Sequence, residues 1–541
     1  METIVPLQLR ASCSSCTGSQ NRYAPDRQKE CCARIMAKTP EQTHVVIIGA
    51  GPGGLTTAML LGARGFRVTV LEKNARVGGR NAAIVRNGYV FDVGPTFLMM
   101  KFILDEVFEE AGRHSADYLH FVKLEPMYRL QFHDRCLEPT TNHTAMRQQL
   151  ERLFPGSGPG FDRFLRTEGR RFRLMYPCLQ KDYSSLHRLL SPDLLRALPY
   201  LSLGRSLISV LGDYFGHDLL KLAFTFQSKY LGMSAWECPG LFAILPYLEH
   251  EFGVYHVMGG LSRISEAMAR VALEHGVELR LSTPVRRILV TGQRAVGVEL
   301  ENGERIPADE VVINADFGHA MKRLMPPGVL RKYTPERVDR LEYSCSTFML
   351  YLGLDKLYDL PHHTIFFARD YRANIRDVFQ RKVLSKEISF YVRNASVTDP
   401  TLVPPGHSAV YVLVPVPNLT ASIDWKAEAP LFREQVLSAL EERAGMAGIR
   451  RHIREEIVFT PLTWEAMGIQ YGATFNLSHK LTQMLYLRPR NKFEELDHCY
   501  LVGGGTHPGS GLPTIYESGR IAANLICRKY GVEFVSKNVQ V

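Results

Sequence analysis

Nowhere in the 541 residues is there a run of about eighteen uncharged apolar residues, so the sequence predicts no membrane-crossing helix. It also lacks an internal repeat and a low-complexity tract, which argues against solenoid and fibrous architectures. An apolar content of 45% excludes wholesale disorder, and the length points to two or three domains. The charge balance is basic, with a net charge of +10 and a pI near 9.0, yet no nucleic-acid-binding module accompanies it. A nucleic acid is therefore not expected as a partner, and an anionic lipid surface is the favoured one. Four cysteines, Cys13, Cys16, Cys31 and Cys32, precede the first strand at spacings that fit no standard zinc finger, so no metal site is expected. The other six are scattered, as in a reducing compartment, and a cytoplasmic location is expected. Residues 1–42 read as a flexible leader without a secretory hydrophobic core. An organelle-transit reading of this Arg-bearing, acid-poor stretch and a true start at Met36 both stay open.

What is present begins at His44-Val-Val-Ile-Ile-Gly49-Ala-Gly51-Pro-Gly53-Gly54-Leu55, a buried-strand run that breaks into glycines and opens a helix. Gly49 allows the tight turn, Gly51 lets the backbone approach a pyrophosphate, and Gly54 lets helix and strand pack closely. The helix N-terminus adds free N–H groups and partial positive charge. A second strand, Arg67–Leu71, ends in Glu72 at the offset where a carboxylate accepts ribose hydroxyls, which disfavours a 2′-phosphate. Arg76-Val-Gly78-Gly79-Arg80 follows, then a hairpin around Asn87-Gly88, then Asp92-Val-Gly94-Pro95-Thr96. A second Gly-Gly-Arg after the ribose-binding strand resembles the FAD pattern of amine-oxidase-like flavoproteins, and favours FAD over NAD.

Further blocks follow at intervals. Gly259-Gly260 opens a helix with Leu261, Ile264, Ala267 and Met268 at helical spacing, and strands are expected over Val277–Leu281 and Val311–Ile313. The terminal block, Cys499 to Ile526, reads as strand, glycine-rich loop and helix. The fold class expected is α/β, a Rossmann-type FAD-binding domain (43–96, 257–320 and 485–531) interrupted by an α+β substrate domain (97–256 and 321–484) that also touches the membrane. In the first excursion, Ser191 caps a helix starting at Pro192, and Tyr200 to Phe215 forms an apolar stripe near Arg196, Arg205 and Lys221. Such a stripe suits an interfacial helix or a core-facing one. Strands Ile388–Val392 and Ala409–Val414 suit a sheet flooring a pocket.

These motifs, with Phe226-Gln227-Ser228, Tyr247 to Val254, His362-His363-Thr364, Thr398-Asp399-Pro400, Leu481-Thr482-Gln483, Arg488-Pro489-Arg490-Asn491 and above all Gly505-Thr506-His507-Pro508-Gly509-Ser510-Gly511, resemble the bacterial-type phytoene desaturase family of carotenoid desaturases and oxidases. The likeness spans everything except the leader and the last few residues. Leu512-Pro513-Thr514-Ile515-Tyr516-Glu517-Ser518 departs from the phytoene enzymes and looks more like the subgroup acting on C30 precursors, so C30 and C40 substrates both stay open. The resemblance implies FAD as the sole organic cofactor, held by Gly49, Gly51, Gly53, Gly54, Glu72, Gly79, Arg80, Gly94, Pro95, Thr96, Val285, Gly504, Thr506, Gly511 and Leu512. It implies desaturation of a linear polyene drawn from a membrane surface to which the protein is peripherally bound, with electrons passing to oxygen or a quinone. His507 either takes the proton lost after hydride transfer or orients the loop, Glu517 has a further dipole-partner or catalytic reading, and His362-His363 reads as pocket wall. Oxidation of a carotenoid end group is the enzymatic alternative, and a non-catalytic prenyl-lipid carrier of the GDP-dissociation-inhibitor type is the alternative from another class.

Overall fold

Five strands form one parallel sheet in the order Cys499–Leu501, Glu310–Ile313, His44–Ile48, Arg67–Leu71, Glu278–Arg280. The computed structural model describes residues 38–533, so the leader cysteines, Met36 and nearly all of the expected leader lie outside the described residues. The central strand is buried along its whole length, as a strand covered on both faces must be, which is why it reads as a continuous apolar run rather than an alternation. Helix Pro52–Gly62 carries Pro at its first position and packs closely enough that a Cβ on Gly62 would lie 2.7 Å from Val277 Cγ2. The terminal helix Leu512–Lys529 crosses it almost backbone to backbone: a Cβ on Gly519 would lie 2.7 Å from the Gly53 carbonyl oxygen. Between Arg67–Leu71 and this layer, the hairpin Ala83–Arg86 and Tyr89–Asp92 turns through Asn87 and Gly88 at φ 47° and 83°, a type I′ geometry.

A second, seven-stranded sheet has the order Ile453–Phe459, Ser346–Leu354, Ser408–Val416, Phe390–Asn394, His363–Phe366, Arg129–Gln131, Cys136–Leu137. All its pairings are antiparallel except that of His363–Phe366 with Arg129–Gln131. Side chains alternate along each strand. Phe348, Leu350 and Leu352 pack with Val412 under helix Trp425–Arg443, while Met349 and Tyr351 point to the opposite face with Tyr411 and Trp464. That opposite face looks toward the glycine loops of the parallel sheet.

The stretch Tyr200 to Phe215 takes the core-facing of its two readings over most of its length. It contains only the short helix Leu207–Leu211, and Leu207, Val210, Leu211 and Phe215 are all buried in the main core. Exposed leucines stand before it, at Leu190, Leu195 and Leu198, and near its start, at Leu203; they are 48 to 70% exposed. Ser191 does cap the helix Pro192–Ala197, accepting from the Leu194 N–H. No described helix is long and apolar enough to cross a membrane.

A buried charge cluster ties the terminal helix to helix Lys101–Glu110. Arg520 donates to Glu517 at 2.7 Å, to Glu106 at 2.8 Å and to Glu110 at 2.6 Å, with Tyr176 and Gln180 completing the set. Three carboxylates around one guanidinium cannot all be fully compensated. Burial pushes the Glu517 carboxyl up to about 7, Arg520 opposing and Glu106 and Glu110 adding to the rise. A folded-state value above the ordinary 4.5 means stability that is complete below pH 4.5 and lost as pH rises through about 7. Denaturant unfolding across this range should show the native protein losing on the order of 3 kcal/mol from this group, while Glu517→Gln flattens that slope and is the more stable protein above pH 7. Parallel pH profiles for the two proteins would rule out Glu517 as the source.

Candidate active site

The strand order reverses beside His44–Ile48, and the loops at the carboxyl ends of the neighbouring strands converge on that point, where ligands bind in open α/β sheets. Four of the predicted glycines close around one residue, Asn314, which stands just past the strand Glu310–Ile313. A Cβ would lie 2.5 Å from Asn314 O at Gly49, 2.9 Å from Asn314 Nδ2 at Gly51, 3.0 Å from Asn314 Oδ1 at Gly53 and 2.9 Å from Asn314 Nδ2 at Gly54. Asn314 donates to the Gly49 carbonyl at 3.0 Å and so ties the first strand's loop to its neighbour. Sequence reasoning passed over Asn314, although a polar Asn-Ala-Asp directly after a buried apolar run marks a strand's carboxyl end at such a crevice. Helix Pro52–Gly62 begins at Gly51 without a side-chain cap, leaving its first N–H groups for an anion.

Glu72 is buried, one oxygen accepting from Ala50 N–H at 2.8 Å and the other from Asn74 N–H at 2.9 Å. Thr283 N–H donates to the Glu72 carbonyl at 2.8 Å, which brings Val285, first residue of the strand Val285–Thr291, near this end of the site. Gly78 and Gly79 adopt left-handed backbone, Gly78 N–H donating to Ala50 O at 2.8 Å. Arg80 donates to Thr474 O at 2.8 Å and to the Asn476 amide oxygen at 2.7 Å, while the same amide donates to Asp316 at 3.0 Å. Burial lowers the Arg80 guanidinium from its ordinary value, the Asp316 charge opposing. The loop Gly94-Pro95-Thr96 is held from the seven-stranded sheet, by Tyr411 donating to Gly94 O at 3.0 Å and Tyr351 to Val93 O at 2.6 Å.

On the other side stands the terminal loop. Arg488 is buried without a carboxylate and donates instead to five carbonyls, including Gly504 O at 2.7 Å and Thr506 O at 3.1 Å. Burial lowers it to about 9. His479 accepts from Ser510 N–H at 3.1 Å, a brace that the sequence did not reveal. Gly511, at φ 112°, starts the helix Leu512–Lys529 without a side-chain cap. His507 lies behind this loop, its Nε2 3.0 Å from Lys181 O and its ring edge-on to Tyr183, and burial lowers it to about 4.

Between the two sides lies a cavity of about 1420 Å3, part of it open to solvent. Arg80, Gly94, Pro95, Thr96, Gly504, Gly511 and Leu512 line it, so the structure gathers predicted residues from two distant blocks. Phe97, Met99, Phe226, Met349, Ile365 and Trp464 supply apolar walls. Among the described residues no carboxylate and no histidine lines it, His507 included.

A family model described as flavin containing amine oxidoreductase matches residues 52–527. The chain is 56% identical over 492 residues to a 4,4'-diapophytoene desaturase (4,4'-diapolycopene-forming) of Methylomonas, covering 91% of this chain and 96% of that one. It is 40% identical over 503 residues to an all-trans-zeta-carotene desaturase of Myxococcus xanthus, covering 90% and 94%. The chain belongs to the carotenoid-desaturase branch of the flavin-containing amine oxidoreductases. Its fold agrees: an oxidoreductase from Methanosarcina mazei superposes with TM-score 0.60 at 18% identity over 88% of this chain and 99% of that one. A putrescine oxidase solved with putrescine gives 0.57 at 15% identity, covering 90% and 99%.

The chain is thus an FAD-dependent oxidoreductase, and its residues fit that cofactor: a cradle that Cβ atoms would fill, a buried carboxylate at the end of the second strand and two helix N-termini without side-chain caps. Gly54→Ala tests the cradle, because its Cβ would fall 2.3 Å from Gly49 O, a backbone atom that cannot swing away. The variant should purify with little flavin absorbance and bind added FAD at least about tenfold more weakly, by fluorescence titration.

Proposed function

We propose that this enzyme introduces double bonds into a linear carotenoid precursor of the diapophytoene or phytoene type, taken from a membrane surface. The carrying observation is the apolar cavity lined in part by the Gly94-Pro95-Thr96 and Gly511-Leu512 loops, with aromatic and methionine walls and, among the described residues, without a carboxylate to hold a polar substrate. FAD, when bound, supplies a two-electron acceptor to which a hydride from an allylic carbon can pass. The chain's own work is holding and orienting. Gly49, Gly51, Gly53, Gly54 and Gly79 face the pyrophosphate, Glu72 takes ribose hydroxyls, and Val285 stands on the adenosine side. Arg80, Gly94, Pro95, Thr96, Gly504, Thr506, Gly511 and Leu512 surround the ring, with the positive end of helix Leu512–Lys529 favouring an anionic reduced ring. His507, behind the terminal loop and outside the cavity, orients that loop through Lys181 O.

Membrane contact is proposed at the exposed Leu190, Leu195, Leu198 and Leu203. Leu485 packs on the Leu194 and Ala197 cluster beneath them, so the turn bearing exposed Leu481 and Leu487 adjoins the same patch. A second reading rests on Lys229, which lines the apolar cavity, its Nζ 5.0 Å over the Tyr371 ring and lowered to about 8 by burial. That cation would meet an oxygen on a polyene terminus, as in end-group oxidation.

Purified holoprotein given diapophytoene or phytoene in liposomes should yield longer-wavelength polyenes whose masses show loss of hydrogen. No new polyene absorbance with either substrate, despite bound FAD, refutes desaturation, and a gain of oxygen favours the second reading. Leu195→Asp with Leu198→Asp should lower co-sedimentation with liposomes while leaving flavin content unchanged. Undiminished co-sedimentation would remove this patch from the membrane contact.

A further inference from the structure

Desaturation removes a hydride and a proton, and the cavity offers the proton no carboxylate or imidazole on its surface. The sheet register supplies one a layer deeper. Ile365 pairs with Tyr391 and His363 with Arg393, so Tyr391 and His363 are diagonal neighbours on the same face of the seven-stranded sheet. Tyr391 lines the cavity beside Thr96, and its hydroxyl lies 2.9 Å from Thr96 Oγ1 and 2.7 Å from His363 Nδ1. His363 is wholly buried, stacked on Phe97 at a 4.1 Å centroid distance, and its Nε2 has no protein partner. A buried ring nitrogen without a partner is costly for stability alone.

Resting on the desaturation reading, we infer that Tyr391 receives the substrate proton and His363 stores it. After hydride loss the polyene is a delocalised cation whose neighbouring C–H is strongly acidic. That proton moves to Tyr391 Oη as the phenol passes its own proton to His363 Nδ1, and the C–H electron pair becomes the new π bond. Tyr391 stays neutral throughout, and Thr96 can turn its hydroxyl toward the phenol oxygen as the Tyr391 proton turns toward His363. Burial, then the Arg393 and His256 charges, hold the His363 imidazole well below its ordinary value, so it is neutral at rest and holds a proton only transiently. The groups packed around it are Arg393, His256, His362, Tyr391 and Phe97. Arg393 makes the imidazolium short-lived, so the proton returns through the phenol once product leaves.

Tyr391→Phe and His363→Gln keep shape, and flavin absorbance with thermal unfolding checks that both variants are folded and loaded. Product formation should fall roughly 100-fold or more in each, while substrate still bleaches the flavin without oxygen. The stranded cation should then capture water, giving a hydrated polyene that carries label from isotope-labelled water. A solvent deuterium effect on product formation should be present in the native enzyme and lost in Tyr391→Phe. The inference is overturned if both variants desaturate within a few-fold of the native enzyme with no hydrated product. It is also overturned if Lys229→Met alone yields that by-product. A native enzyme that forms no desaturated product overturns the parent reading instead, so the two failures are told apart.

Discussion

The carboxylate of Asp92 is the point on which the arrangement depends. It is buried, and it accepts from Leu261 and Ser262 N–H groups at 3.0 Å each and from Arg393 Nη1 at 2.7 Å. These contacts join the end of the hairpin, the start of helix Ser262–Glu274 and the strand Phe390–Asn394, three segments far apart in the chain. A negative charge at a helix N-terminus is favourable, and a buried ion pair persists only when its remaining groups are satisfied. Arg393 meets that condition by reaching His256 Nδ1 at 3.2 Å and His362 Nε2 at 3.4 Å, and His256 in turn meets Asp399 at 2.9 Å. Gly260 is required for the approach, having φ 96° and a Cβ position 2.9 Å from Asp92 Oδ1. Asp92 leads two residues later into Gly94-Pro95-Thr96, so the same anchor fixes the flavin-side loop against the sheet that carries Tyr391.

From that anchor the division of labour in the seven-stranded sheet follows. Its period-two alternation sends one set of side chains under helix Trp425–Arg443 and the other set toward the cavity, so a single sheet is both core and active-site wall. Tyr351 and Tyr411 show how the two uses are combined, each burying its ring among Phe91, Met349 and Trp464 while its hydroxyl holds a carbonyl of the flavin-side loop. Packing therefore sets the geometry of that loop directly, through rigid aromatic side chains rather than mobile ones.

What the sequence disclosed was whatever is encoded locally. The glycine turn, the Asn87-Gly88 hairpin, the Ser191 cap and the terminal Gly-Thr-His-Pro loop each depend on a few adjacent residues with special backbone or capping chemistry, and each is legible for that reason. Asn314, Arg488 and His479 were not read as site-builders, because their roles consist of contacts to carbonyls and N–H groups distant in sequence. The pairing of Arg129–Gln131 with His363–Phe366 joins the two excursions through more than two hundred residues, and no periodicity announces it. Apolar content left Tyr200 to Phe215 open between an interfacial and a core-facing stripe; the structure cuts it into short pieces at Gly204 and Gly212 and buries Leu207 to Phe215 in the core while Leu203 stays exposed. His362-His363 reads as pocket wall in the sequence; only the register of its strand connects His363 to a cavity hydroxyl.

The fold is shared with a putrescine oxidase solved with its diamine, so discrimination must lie in the cavity. Among the described residues the charged ones that line the cavity are Arg80 and Lys229, both basic; no carboxylate lines it, although Asp316, outside the lining, offsets part of the Arg80 charge. A like charge 4 Å away costs about 4 kcal/mol at an effective dielectric of 20, roughly a thousandfold in affinity. A protonated amine is thus disfavoured by repulsion as well as by lack of a partner, while a neutral hydrocarbon meets no such penalty. The same cations constrain the chemistry on that hydrocarbon, because positive charge created close to either would be destabilised by the same term. A conjugated chain answers this by spreading the charge away from them, and a prompt proton transfer to a neutral acceptor removes it. An apolar, carboxylate-free wall with a hydroxyl backed by an uncharged imidazole is the arrangement those two requirements select.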